Sequence, residues 1–256
     1  MNNIPVLEVR NLGIDFGGLT AVNRFNIVIN KHQIVGLIGP NGAGKTTVFN
    51  MLTKVYEPSR GTIELNGKEI NKLSTVEVNK AGIARTFQNI RLFDNLSVID
   101  NVLIGMHNSI EYSVVSGIIK STTFRKQEKQ AYDKALELLN IFKLQDYKDH
   151  LASSLPYGGQ RRLEICRALA SNPLLLLLDE PAAGMNPSET AELMNTIKDI
   201  RDHFDIAILL IEHDMKFVMG ICDEITVLNY GTTLAHGTPE EIQNNKEVIK
   251  AYLGGE

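Results

Sequence analysis

The sequence has no tryptophan, only two cysteines and no uninterrupted apolar stretch of about 20 residues. Each absence narrows the possibilities. Cys166 and Cys222 stand alone without metal-ligand spacing, which suits a reducing compartment and gives no reason to invoke disulfides or zinc. Without a long apolar run the chain is expected not to cross a membrane by itself, so any membrane role must pass through a partner. Met1 to Arg10 carries no basic cluster leading into an apolar core, and no targeting segment is expected there. Basic excess is missing too. The formal net charge is -4, which argues against a nucleic-acid-binding surface. Repeats and low-complexity tracts are also absent, and 256 residues suffice for one large α/β domain or a domain with a subdomain.

What is present is organised around Gly39-Pro40-Asn41-Gly42-Ala43-Gly44-Lys45-Thr46, which fits G-x-x-x-x-G-K-[ST]. The short apolar run 34–38 before it reads as a buried strand, and helix-forming residues follow. In that setting small residues let consecutive amides turn inward, and a helix starting near Gly44 adds its positive end, so a triphosphate has a cradle. Lys45 is expected to reach the β and γ phosphates, Thr46 to offer its hydroxyl to Mg²⁺, and Thr47 to donate to an α-phosphate oxygen.

Around this loop the pattern is mixed α/β. Residues 6–9 and 21–29 read as strands flanking the turn 15–19, where Phe16 is either a base-stacking aromatic or ordinary core. Residues 61–67 read as a strand entering an Asn-Gly hairpin, Ser74 with Glu77 as a capping box, and 83–87 as a strand ending at Gln88. Between Ser97 and His150 the pattern turns helical. Ser97 and Asp100 cap one helix, and Ala131, Ala135, Leu138 and Leu139 share a face of another beginning near Phe124. Residues 109–123, with Val114, Val115, Ile118 and Ile119, read as a packed helix or an exposed docking surface.

Five leucines, 174–178, then lead into Asp179 and Glu180, as in a central parallel strand covered on both faces. Asn186-Pro187-Ser188-Glu189 opens a helix with Leu193, Ile197 and Ile200 inward. Residues 207–211 form a strand ending at Glu212 and His213. Strands at 224–228 and 232–235 follow, and Thr238-Pro239-Glu240-Glu241 starts a last helix.

Ligands of an open parallel sheet sit beyond the carboxyl ends of its strands, and the phosphate loop, Gln88, Asp179 with Glu180, and His213 all end expected strands. Asp179 would hold Mg²⁺ opposite Thr46, and Glu180 would accept a proton from an attacking water. Gln88 and His213 would position that water, unless they are a solvated loop residue and an ordinary strand-end histidine. No base-reading Asn-Lys-x-Asp occurs, which speaks against a GTPase, and no acceptor-site signature of a small-molecule kinase is present.

Together these motifs resemble the ABC-transporter ATPase family over nearly the whole chain. The resemblance adds Leu155-Pro156-Tyr157-Gly158-Gly159-Gln160 as the signature region, 182–186 as the D-loop and Gln88 as the Q-loop; finer details are similar to branched-chain amino-acid importer subunits. It implies an α/β fold: a P-loop NTPase core with an antiparallel β subdomain and an inserted helical subdomain, divided as 1–96, 97–157 and 158–256. It further implies ATP and Mg²⁺ as cofactors, with Thr46, Gln88 and Asp179 around the metal and Phe16 on adenine. A head-to-tail pairing with a second ATPase subunit would bring Pro156, Tyr157, Gly158 and Gly159 of one copy onto the γ-phosphate of the other. The expected partners are two permease subunits and, indirectly, a substrate-binding protein, at the cytoplasmic face of the cell membrane. Export of lipid, uptake of urea or amides, and a nucleotide-gated clamp are the alternatives. Pro156 and Tyr157 replace the usual Ser-Gly, and Asn186 stands where aspartate is usual.

Overall fold

The computed structural model describes residues 4–107 and 122–253. Of residues 109–123, expected as a packed helix or docking surface, 109–121 lie outside the described residues. Among the described residues ten strands form two sheets. The smaller is antiparallel and contains β1 (Leu7–Phe16), β2 (Leu19–Ile29), β4 (Arg60–Leu65) and β5 (Lys68–Glu69), in the order β2-β1-β4-β5. The larger runs β10 (Thr232–Gly237), β9 (Glu224–Asn229), β3 (Ile34–Ile38), β8 (Ala207–Ile211), β7 (Leu175–Asp179), β6 (Ile83–Arg85). Its pairings are parallel except at the β10–β9 edge.

The central strands β3, β8 and β7 are buried at every position, so their apolar runs must feed two cores. Alternation along the strands does this. Ile34, Ile38, Leu176, Leu178, Ile208 and Leu210 pack on the helical side, while Val35, Leu37, Leu175, Leu177, Leu209 and Ile211 pack toward the antiparallel sheet. Between the two sheets runs α1 (Lys45–Leu52), with Val48, Phe49, Met51 and Leu52 buried. The helical layer comprises α3 (Val98–Gly105), α4 (Thr122–Ile141), α5 (Tyr157–Leu169), α6 (Pro187–Phe204), α7 (Met215–Ile221), α8 (Pro239–Gln243) and α9 (Lys246–Leu253). Ala131, Ala135, Leu138 and Leu139 form the buried face of α4.

Local chemistry sets most element ends. Capping boxes open α2 (Thr75–Ala81), α6 and α8, through Ser74 with Glu77, Asn186 with Glu189, and Thr238 with Glu241. Asn186 therefore has a structural reason to stand where it does, since its Oδ1 accepts from the amides of Ser188 and Glu189. Two elements differ from the sequence reading. Strand β1 continues through Asp15 and Phe16 rather than ending in a loop, because Gly17 and Gly18, at φ 53° and 94°, turn the chain in two residues. Strand β6 stops at Arg85 instead of Phe87, because the main chain beyond Thr86 bonds to side chains of α5.

Candidate functional site

Four strand ends converge on one rim of the larger sheet. From β3 the chain enters the phosphate loop, where Gly39 at φ 150° lies so close to its neighbour that a Cβ would sit 2.0 Å from the Leu228 carbonyl oxygen. Only glycine fits. Gly44, at φ 102°, precedes α1, which has neither a side-chain cap nor an acidic residue in its first turn. Its leading amides, which have no partner inside the helix, are left for an anion. The Lys45 ammonium is buried and donates to the carbonyls of Gly39 at 2.6 Å and Pro40 at 2.9 Å, curling the loop around its own lysine. Burial lowers the Lys45 pKa, while Glu180 and Asp179 act against that shift.

From β7 come the two acids, and they live in different surroundings. Asp179 is buried and accepts a hydrogen bond from the Arg85 guanidinium at 2.8 Å, in a pair that is almost fully enclosed. Arg85 also donates to Asn50 at 2.7 Å and stands over the rings of Phe49 and Phe87. Glu180 instead turns outward at a positive φ of 49°, with its amide donating to the Ile211 carbonyl at 2.9 Å. That backbone twist separates two adjacent carboxylates, one toward the sheet and one toward the loop.

Glu180 meets both remaining groups. The Gln88 side-chain amide donates to one carboxylate oxygen at 2.9 Å, and His213 Nε2 lies 2.8 Å from the other. A cleft of ≈ 530 Å³ is lined by the phosphate loop from Asn41 to Thr47 together with Gln88, Glu180 and His213. Beneath it, buried Glu212 accepts from the amides of Ala182 at 2.7 Å and His213 at 3.0 Å. Burial raises its pKa, with those amides opposing the shift.

The cleft is complete on one side only. Pro156, Tyr157, Gly158 and Gly159 are not among its lining residues, and neither is Phe16, which stands half-exposed with its ring edge-on to Tyr56 at 5.3 Å. Leu19, Thr20, Ala21 and Tyr230 form the near wall, and Tyr230 is 86% exposed. Like α1, α5 begins without a side-chain cap or a first-turn acid.

For a magnesium ion the donor chemistry fits. No group of three or more His, Cys, Asp or Glu side chains suited to a metal occurs among the described residues. One carboxylate, one hydroxyl and one amide oxygen are what Mg²⁺ uses when phosphates and water fill its other positions. Asp179 keeps an oxygen beyond the one held by Arg85, and Gln88, donating through its nitrogen, leaves its oxygen available.

Several residues around the site carry little sequence signal. Arg85 lies within the strand expected at 83–87, and Arg161 and Glu164 follow the signature region without an expected role of their own. In the fold Arg161 and Glu164 are buried. Opposite charges at helical spacing could have flagged the pair, but nothing in the sequence gives its burial or its partners.

Comparison with known proteins agrees with this geometry. Residues 22–183 match the family model described as ABC transporter, and residues 232–256 match that of the branched-chain amino acid ATP-binding cassette transporter. The chain is 50% identical over 250 residues to the high-affinity branched-chain amino acid transport ATP-binding protein LivG of Escherichia coli K12, covering 98% of each. It is 47% identical to BraF of Pseudomonas aeruginosa, again over 98% of each chain. Lipopolysaccharide export system ATP-binding protein LptB of Haemophilus influenzae is 32% identical over the same share. Among solved structures, the ADP conformation of MJ1267, an ATP-binding cassette of an ABC transporter, superposes with a TM-score of 0.85 at 29% identity, covering 98% of this chain and 99% of that one. A chain with this phosphate loop, these strand-end acids and these relatives belongs to the ABC-transporter family of ATP-binding cassettes, and it is an ATPase.

Proposed function

We infer that this chain is the motor subunit of an importer for branched-chain amino acids, hydrolysing ATP to move permease subunits in the membrane. The observation that carries the catalytic part is the clamp on Glu180, held by Gln88 on one oxygen and His213 on the other at the mouth of the phosphate loop. The cargo rests on relatives that are half identical over their full length and whose names state branched-chain amino acid transport. The lipopolysaccharide-export relative is more distant, which favours import.

In this reading the triphosphate lies over the amides of residues 39–47, Lys45 turns from its loop carbonyls to the β and γ phosphates, Thr47 meets the α-phosphate, and Phe16 covers the adenine. Thr46, Gln88 and Asp179 would hold Mg²⁺, which neutralises phosphate charge when bound. Water held by Gln88 and His213 adds to the γ-phosphorus as the bond to the bridging oxygen breaks, releasing ADP and inorganic phosphate. Glu180 takes the water's proton.

The open side of the cleft is closed by a second ATPase subunit, a copy or a relative, whose Pro156–Gly159 segment brings the start of α5 to the γ-phosphate. Loss of that phosphate lets the two part, and the permeases follow. Residues 1–96 and 158–256 form the core and 97–157 the helical subdomain in this scheme. No helix among the described residues is long and apolar enough to cross a membrane; in this scheme the permease partners hold the chain at the cytoplasmic face.

Glu180→Gln tests the mechanism. ATP binding should persist, light scattering should show a paired ATP-bound species, and turnover should fall roughly 10²- to 10⁴-fold, the usual contribution of a general base. Full turnover in that variant would remove the base. For the cargo, deletion of the chain should abolish uptake of labelled leucine in the parent cell, and intact uptake would refute that assignment.

A further inference from the structure

The Q-loop is irregular between Phe87 and Leu96, so its peptide groups lack the regular ladder of a strand or helix. One ion pair on α5 supplies partners for several of them. Arg161 and Glu164 lie on one face of the helix and are 0% and 1% exposed. Arg161 donates through one nitrogen to the Phe87 carbonyl at 2.6 Å and to Glu164 at 2.9 Å, and through the other to the Gln88 carbonyl at 2.7 Å. The second nitrogen also reaches the Tyr157 hydroxyl at 3.5 Å. The free oxygen of Glu164 accepts from the amides of Phe87 at 3.3 Å and Arg91 at 3.2 Å.

Thus the backbone that carries Gln88 hangs from the same helix whose first turn is Tyr157-Gly158-Gly159. The Tyr157 ring also lies on the D-loop, where a Cβ at Gly184 would come within 2.9 Å of it. A buried ion pair is a poor device for stability alone, since apolar residues of similar size serve as well or better. A planar fork is another matter, because it fixes two consecutive carbonyls at once.

We propose that Arg161 and Glu164 are positioning residues that link the start of α5 to Gln88, so that movement of the signature turn changes how the Gln88 amide meets Glu180. The proposal rests on the reading that Gln88 and Glu180 serve hydrolysis. Lysine in place of Arg161 keeps the charge but cannot span both carbonyls, and glutamine in place of Glu164 keeps the shape but loses the ion pair.

The test is a double-mutant cycle on the full-length chain, with steady-state ATP hydrolysis and thermal melting measured for each variant. Arg161→Lys should lower kcat about tenfold while KM for ATP stays within twofold. In a Gln88→Ala background the same change should lower kcat no further, although its effect on the melting temperature should persist. An additive loss of kcat in the two backgrounds overturns the coupling and leaves the role of Gln88 intact. Full rate in Gln88→Ala alone overturns both. Should Arg161→Lys unfold the chain, Glu164→Gln in the same two backgrounds decides by the same criterion.

Discussion

Among the α-helices whose caps are described, α1 and α5 start without a side-chain cap, and they are finished differently. The start of α1 lies in a cleft that also holds Gln88, Glu180 and His213, with each of those side chains partnered inside the chain. At the start of α5 Tyr157 is half-exposed and the Glu189 carboxylate lies close to Gly158. By contrast α2, α6 and α8 close their ends with capping boxes. Leaving the leading amides of a helix without side-chain partners forgoes about 1 kcal/mol of capping. The difference teaches that of the two uncapped starts only α1 is surrounded by the strand-end side chains of its own chain.

The largest effect expected from breaking this contrast comes at the complete end. Lys45→Ala removes the buried cation of the loop, and a charged hydrogen bond contributes about 1.5–3 kcal/mol, so ATP should bind roughly 10- to 100-fold more weakly by calorimetry. Undiminished binding would mean that the cradle does not depend on its lysine.

At the incomplete end the expected effects have opposite signs. Tyr157→Asp puts a negative charge at the start of α5, where the helix dipole favours it by about 0.3–1 kcal/mol, against the loss of the ring packed on Gly184 and of the hydroxyl near Arg161. The same charge would face a γ-phosphate across the pairing interface, so ATP-dependent association should weaken while binding to the single chain stays unchanged. If association were unaffected, α5 would not be the missing wall.

The smallest effect concerns the floor shared by the rim. Burial holds the folded Glu212 pKa above its unfolded value, so its contribution to stability is fully present below the unfolded pKa and is lost as pH rises through the folded one. Denaturant midpoints of Glu212→Gln should therefore fall less than those of the parent between mildly acidic and neutral pH. The slope is the measurement, since the substitution also alters the hydrogen bonds to Ala182 and His213 and shifts the absolute value. Parallel pH curves would show that Glu212 titrates alike in both states.

Much of the architecture was legible because local rules and tertiary demands agree. The phosphate loop between a buried strand and a helix, the three capping boxes and the Asn66-Gly67 hairpin each carry their signal within a few residues. One slip was local, at the Gly17-Gly18 turn; at the other a distant partner had intervened. The end of β6 at Arg85 depends on Arg161 and Glu164, more than 70 positions away, and no periodicity announces that. Asp179 and Glu180 were both visible as strand-end acids. Their separate surroundings follow from Arg85 on the neighbouring strand and from the positive φ at Glu180.

Taken alone, the sequence determined which residues could hold a triphosphate, because a loop of consecutive amides ahead of a helix is a local object encoded by glycine spacing and one lysine. Only the tertiary structure decided which acid is locked to an arginine and which meets Gln88 and His213, and that the signature turn stands away from its own chain's cleft. These depend on strand order and on ion pairs between distant segments, and a burial environment exists only once the sheets and helices have packed.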